Sequence, residues 1–272
     1  MRPHTAAMTV PPLSSDVRAD AVRRLDAIAR EDGVRIVAAV ESGSRAWGFP
    51  SPDSDYDVRF IYVRPIDDYL RLSPVRDVIE RPIEGLWDVN GWDIRKALQL
   101  LCRGNAVVVE WLRSPLVYSE VGETAERMRA LAARYGDADA AVRHYYGLLR
   151  GAWRREFEGR EGVRLKKYFY VIRAAAALAW VRKHRAVPPM ALPQLLDGGV
   201  VDGPLRGRID ELMVAKARTN ELGEGPRLAD LDAFITGELA WAEATGLIRR
   251  QAASREMLAA ADTVFREAVL AG

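Results

Sequence analysis

"ESGSRAWGFPSPDSDYDVRFIYV", residues 41–63, is the stretch on which the reading of this chain turns. Gly43 and Gly48 stand with four residues between them, the glycine spacing of a phosphate-binding loop. Such a loop requires Lys and then Ser or Thr after the second glycine, and Phe49 and Pro50 follow instead. The stretch closes in "YDVRFIYV", residues 56–63, whose Val, Ile, Phe and Tyr mark a strand. Two aspartates one residue apart, Asp55 and Asp57, stand where that strand begins. Alternate side chains of a strand share a face, so the two carboxylates are expected side by side. Neighbouring acids repel unless a positive centre lies between them. Oxygen ligands suit Mg²⁺ or Mn²⁺, and Mg²⁺ takes one or two carboxylates together with substrate phosphates. The pair therefore predicts a nucleoside triphosphate as partner.

The glycine turn supplies the other half. It follows "VRIVAAVES", which reads as a buried strand. Without a side chain, Gly43 lets the backbone approach a ligand closely. If "SRAWG" begins a helical turn, the amides of Ser44 and Arg45 face an anion; the Ser44 hydroxyl adds a donor and Arg45 a charge. A metal on Asp55 and Asp57 takes over the role of the missing lysine. Two-metal phosphoryl transfer asks for a third acid. Asp88, within the predicted strand "LWDVNGW", is favoured; Asp93, at a strand-to-helix junction, also reads as the N-cap of helix 94–103.

Around this stretch the pattern is α/β (an α+β arrangement). Residues 16–31 have helical periodicity with Ser15 as N-cap and Gly33 as stop. "RDVIERP" and "IEGLWDVNGW" read as further strands, and "AVVVEWLR" as a short helix capped by Asn105. Beyond residue 116 strand signals almost vanish, and helices are expected over 120–135, 137–158, 162–185, 205–220 and 228–270. The expected organisation is a disordered lead at 1–14, a mixed twisted sheet with flanking helices at 15–115, and an all-helical domain at 116–272 forming the other wall of a cleft. On helix 162–185, Lys166, Tyr170 and Arg173 share a face. That stripe reads as a grip on phosphates or base, against the plainer reading of a solvated face with Tyr170 packed. Trp47 is the tryptophan best placed to stack on a nucleobase, although most tryptophans pack in cores.

Composition excludes several classes. A net charge of +2 gives no broad nucleic-acid footprint, though it does not preclude a local one. The single cysteine, Cys102, permits no internal disulfide, and three scattered histidines make no zinc site. No apolar run approaches the ~20 residues of a membrane span. A cytoplasmic protein without membrane attachment is expected.

The residues also carry a resemblance. A Gly-Ser pair followed, twelve residues after the glycine, by Asp-Tyr-Asp resembles the signature of the DNA polymerase beta nucleotidyltransferase superfamily. More narrowly, residues 41–63 with "DVNGWDIRKALQLL", "GNAVVVEWLRSP" and "LKKYFYVIRAAAALAW" resemble the RlaP family, RNA-repair ligase-associated nucleotidyltransferases. The resemblance implies a polymerase-beta-like fold. Gly43 and Ser44 would hold the triphosphate, Asp55 and Asp57 the metals, and Asp88 or Asp93 would complete the acids. Ala106 and Ala174 stand where the family favours proline, away from the chemistry. The implied activity is metal-dependent transfer of a nucleoside monophosphate from a triphosphate to an acceptor hydroxyl, with pyrophosphate released. An RNA end, a tRNA, a protein side chain and a small molecule are all open as acceptor; the family context favours RNA and association with an RNA ligase. The rivals are a non-catalytic nucleotide- or RNA-binding module and a hydrolase using paired carboxylates.

Overall fold

The computed structural model describes residues 10–219, 223–247 and 253–271. They form two compact units. Of the described residues, the sheet unit draws on 12–43, 55–136 and 253–271, and the helical unit on 10–11, 44–54, 137–219 and 223–247.

Five strands build the sheet unit: β1 (Arg35–Glu41), β2 (Tyr56–Val63), β3 (Val78–Glu80), β4 (Trp87–Asp93) and β5 (Val117–Glu120). Their order is β3-β4-β2-β1-β5, with β2 and β4 parallel and every other pair antiparallel. Packed with them from the first half of the chain are α1 (Ser15–Asp32), α2 (Ile66–Tyr69), α3 (Ile94–Cys102), α4 (Ala106–Leu112) and α5 (Thr124–Tyr135). The cap of α1 is Ser14 rather than Ser15. Ser14 is extended, and its hydroxyl accepts from Val17 N at 3.3 Å; Gly33 ends the helix at φ +61°. Asn105 caps α4 as expected, accepting from Val107 N at 2.8 Å.

Alternation along β2 assigns the two faces. Val58, Phe60 and Tyr62 point into a core with Val89, Ile79, Tyr118 and the Ala21, Leu25 and Ile28 face of α1. Gly91 of β4 belongs here because the Phe60 ring occupies the space a Cβ would need. Ile61 and Val63 enter the opposite core with Val37, Val40, Leu98, Trp111 and Met128. On that second face the same alternation brings up Asp57 and Arg59 of β2, with Asp88 and Asn90 of β4 opposite them. One end of the face is thus apolar and helix-covered, and the other end is ionic.

In the helical unit, α6 (Ala138–Glu156), α7 (Lys166–His184), α8 (Leu192–Asp197), α9 (Gly203–Arg218) and α10 (Ala229–Ala244) accompany the short strands β6 (Gly162–Arg164) and β7 (Glu224–Pro226). Helix α7 is apolar nearly all round and is the core: Ala174 to Ala179 are at most 1% exposed. The pattern expected as one helix over 228–270 is two. The second, α11 (Arg255–Leu270), packs Met257, Ala261 and Ala268 into the sheet unit's second core. A boundary at 115 therefore cuts across that unit: β5 pairs with β1 just beyond it, and Met128 and Leu131 of α5 fill the same core.

Among the described residues, no helix is long and apolar enough to cross a membrane.

Candidate active site

Asp57 and Asp88 are direct partners in the parallel register of β2 and β4. One nitrogen, Arg59 Nη2, lies 3.2 Å from Asp57 Oδ1 and 2.7 Å from Asp88 Oδ2. Arg59 Nη1 also donates to the Asp88 backbone carbonyl at 2.8 Å, and Asn90 Nδ2 donates to Asp88 Oδ1 at 2.7 Å. The two carboxylates converge on one point about which positive charge is required, and Arg59 supplies it. Their side chains are 28% and 24% exposed, so each still meets solvent. Asp55 lies one residue ahead of β2 and is exposed.

The glycine turn is fitted against this pair. Ser42 N donates to the Asp57 carbonyl at 2.9 Å, and the Asp57 side chain lies over the Gly43 Cα. A Cβ on Gly43 would collide with that carboxylate, standing 2.5 Å from Cγ. What crowds Gly43 is the Asp57 side chain.

Beneath both residues lies Glu41, the last residue of β1, fully buried. Its Oε1 accepts from Gly43 N at 3.2 Å and from Asp57 N at 3.1 Å, and its Oε2 from the Tyr118 hydroxyl at 2.6 Å. Burial pushes the Glu41 carboxyl above the usual carboxylate range; the Tyr118 hydrogen bond opposes this, and the Asp57 charge adds to it. Sequence reading missed Glu41. The signal was a carboxylate closing the apolar run 36–40, two residues before the glycine.

Asp93 has other work. It is 4% exposed, its Oδ1 caps α3 by accepting from Arg95 N at 2.8 Å, and its Oδ2 accepts from the Tyr69 hydroxyl at 3.0 Å. Burial raises its pKa. Among the described residues, no group of three or more Asp, Glu, His or Cys is gathered as an ion-binding cluster. Asp57 and Asp88 are thus the carboxylates brought together, held by an arginine that sequence reading also missed.

The remaining expected residues lie in the helical unit. Residues 44–48 form a hydrogen-bonded turn closed by Phe49 N to Ser44 O at 3.1 Å. Ser44 Oγ donates to Ser54 Oγ at 3.0 Å and Arg45 Nη2 to the Ser54 carbonyl at 2.6 Å, which draws the loop 44–54 together. Lys216, 7% exposed, donates to the Phe49 carbonyl at 2.6 Å; burial lowers its pKa to about 8. The stripe on α7 divides. Lys166 is half-buried and Tyr170 exposed, whereas Arg173 is 2% exposed, with its guanidinium 4.2 Å from the Trp47 ring centroid. Tyr170 meets Trp47 edge-on at 5.8 Å. Trp47 is thus engaged by protein groups on its face and at its edge.

Comparison with known proteins agrees with the motifs. A family model described as RlaP, RNA repair pathway DNA polymerase beta family, matches residues 17–267. The uncharacterized protein YcgL of Bacillus subtilis (strain 168) is 43% identical over 218 residues, 80% of this chain and 84% of that one. A solved nucleotidyltransferase-like protein from Exiguobacterium sibiricum 255-15 aligns with 92% of this chain and 80% of its own, at 13% identity and a TM-score of 0.30. With the family match spanning nearly the whole chain, this protein belongs to the RlaP family, the polymerase-beta-like nucleotidyltransferases of an RNA repair pathway.

Proposed function

We propose that the chain transfers a nucleoside monophosphate from a triphosphate to an acceptor hydroxyl at an RNA end and releases pyrophosphate. The observation that carries this reading is the convergence of Asp57 Oδ1 and Asp88 Oδ2 on a single positive centre beside the glycine turn.

The donor set fits a hard divalent cation, because two partly exposed carboxylates and an exposed Asp55 offer only oxygens, and Mg²⁺ completes its shell with water and phosphate. Asp55, Asp57 and Asp88 would hold Mg²⁺ or Mn²⁺, whose chemistry here is to neutralise phosphate charge and acidify the acceptor hydroxyl. The chain's own residues do the positioning. Gly43 keeps the backbone low enough for the Asp57 carboxylate to lie across it. Arg59 places its guanidinium against both acids and so balances their charge. With little covalent chemistry for a protein to perform, placement and electrostatics supply most of the acceleration. Ser44, Arg45, Lys166 and Tyr170 enter as triphosphate or base contacts on sequence and family grounds. Asp93 is left in its capping role, and Arg173 in its packing role behind Trp47.

RNA as acceptor is supported by the family's pathway and by local charge. Residues 150–167 carry seven Lys or Arg against three Glu, and Arg154, Arg155, Arg160 and Arg164 are exposed. Exposed cations of this kind bind phosphate backbones without reading sequence.

The test is incubation with Mg²⁺, each α-labelled triphosphate, and RNAs with defined ends, tRNA or protein as acceptor. Label is expected on RNA, with pyrophosphate released, and Asp57→Asn or Asp88→Asn should abolish both. Release that survives the paired substitutions overturns the assignment. Free phosphate or monophosphate without labelled acceptor marks a hydrolase. The binding-module reading draws on Arg59, which already balances both acids without a ligand; nucleotide binding with no turnover on any acceptor would establish it.

A further inference from the structure

Asp57 and Gly43 are held by a common buried group. Glu41 is fully buried, and a single oxygen of its carboxylate accepts both the Gly43 and the Asp57 backbone N–H. Those amides lie on different segments, one opening the glycine turn and one in β2. Glu41 Oε1 is therefore a shared fixed point that sets how far the turn stands from the strand. The Tyr118 hydroxyl on Oε2 and the Ser114 hydroxyl on the Glu41 carbonyl, both at 2.6 Å, fix the glutamate itself. All three side-chain contacts are donated into the carboxylate and engage both of its oxygens, which fixes its rotamer. A buried carboxylate is costly beside an apolar residue of equal size. Stability alone gives no reason for one here.

We infer that Glu41 is the positioning residue of the site: it locks the Gly43 turn to β2 so that the Asp57 carboxylate is presented at one height and angle. The inference rests on the metal-dependent reading proposed above. Loss of supporting hydrogen bonds around metal-binding groups typically weakens affinity about 10- to 100-fold. A Glu41→Asp substitution keeps the charge but withdraws the carboxylate by one methylene. It should weaken Mn²⁺ binding by about tenfold or more and lower kcat more than it raises KM. Glu41→Gln retains an oxygen for both N–H groups and offers its amide to Tyr118, so it should restore binding close to wild type.

Mn²⁺ titration followed by electron paramagnetic resonance, with and without triphosphate, reads this directly. Tyr118→Phe is the control for a purely structural role, because it removes one buried hydrogen bond and leaves both amides on Oε1. It should lower Tm without changing Mn²⁺ affinity. Glu41→Asp that loses Tm but binds Mn²⁺ like wild type overturns the inference and leaves the transferase reading standing. Failure of Glu41→Gln to rescue a folded chain also overturns it. A wild-type chain that binds no Mn²⁺ in either condition overturns both. Faster hydrogen exchange at the Gly43 and Asp57 amides in Glu41→Asp, reversed in Glu41→Gln, is the accompanying result expected without any metal.

Discussion

The Asp57 carboxylate lies across the Cα of Gly43, in the space a side chain at 43 would fill. Gly43 is thus required by contact rather than by a left-handed backbone, for it is not among the glycines of positive φ. Gly43→Ala forces either the turn or the carboxylate to move. Overpacking of this kind costs about 1–3 kcal/mol, and here the group displaced is a proposed ligand. Transfer activity should fall at least 100-fold (about 2.7 kcal/mol in barrier), with Tm reduced but folding retained. A Gly43→Ala chain of wild-type activity would show that the contact is incidental; steady-state kinetics beside a thermal melt decides.

Arg59 makes a second prediction, about charge balance. Arg59→Met removes the guanidinium that lies against both Asp57 and Asp88, leaving their mutual repulsion less screened. The cost should be about 1 kcal/mol, because the group is partly solvated and the pair resembles a surface bridge more than a buried one. Added Mg²⁺ or Mn²⁺ should then raise the Tm of Arg59→Met by more than that of wild type, by mass action on the folded state. Equal shifts in the two proteins would mean that the cation does not bind between these acids.

Asp88 and Asp93 separate in a third experiment. Asp88→Asn should abolish transfer, whereas Asp93→Asn should retain it, since the Asn oxygen can still cap the helix and its amide NH2 can donate to the Tyr69 hydroxyl. The two proteins differ in pH response as well. Burial raises the Asp93 pKa above 3.8, so the native state holds this proton to higher pH than the unfolded chain. The stability this contributes is complete below 3.8 and is lost as pH rises through the native value. Wild type should therefore lose Tm relative to Asp93→Asn as pH rises from 4 through that window. A difference independent of pH would mean the Asp93 carboxyl is not perturbed in the fold.

Much of this was legible in the chain. YDVRFIYV is β2 residue for residue, and Asp88 proved to be the in-register partner of Asp57. Strand alternation and β-branched composition are local, so they survive folding unchanged. What stayed hidden depends on distance in sequence. Arg59 reads alone as one more charge in a strand, and only the parallel pairing of β2 with β4 makes it a bridge to Asp88. Glu41 looks out of place until Tyr118, far along the chain, is brought against it by β5. Strand β5 itself is four residues long, too short for periodicity to register. Arg173 shared a helical face with Lys166 and Tyr170, as predicted, but a face common to three residues does not tell which of them is covered. Trp47 covers Arg173.

Lys216 carries the last prediction. Its ammonium group is buried against the Phe49 carbonyl and the Phe49 and Phe169 rings, at 4.8 and 5.4 Å from their centroids. Burial depresses its pKa from 10.5 to about 8, with Lys166 also lowering it and Asp53 raising it. Below pH 8 the group is charged in both folded and unfolded chains, and the whole cost of burying that charge is present. Between about 8 and 10.5 the unfolded chain binds the proton and the folded one does not, so stability rises with pH across that window. The full swing is at most about 3 kcal/mol. Lys216→Met cannot titrate, and it leaves the Phe49 carbonyl without its donor, a loss of about 1–3 kcal/mol. Melting both proteins from pH 7 to 10.5 cancels every other titrating group in the difference. Wild type should gain on Lys216→Met as pH rises, by several degrees in Tm. A flat difference would place the Lys216 proton in a solvated position and remove the buried-ammonium account of how the 44–54 loop is held in the helical unit.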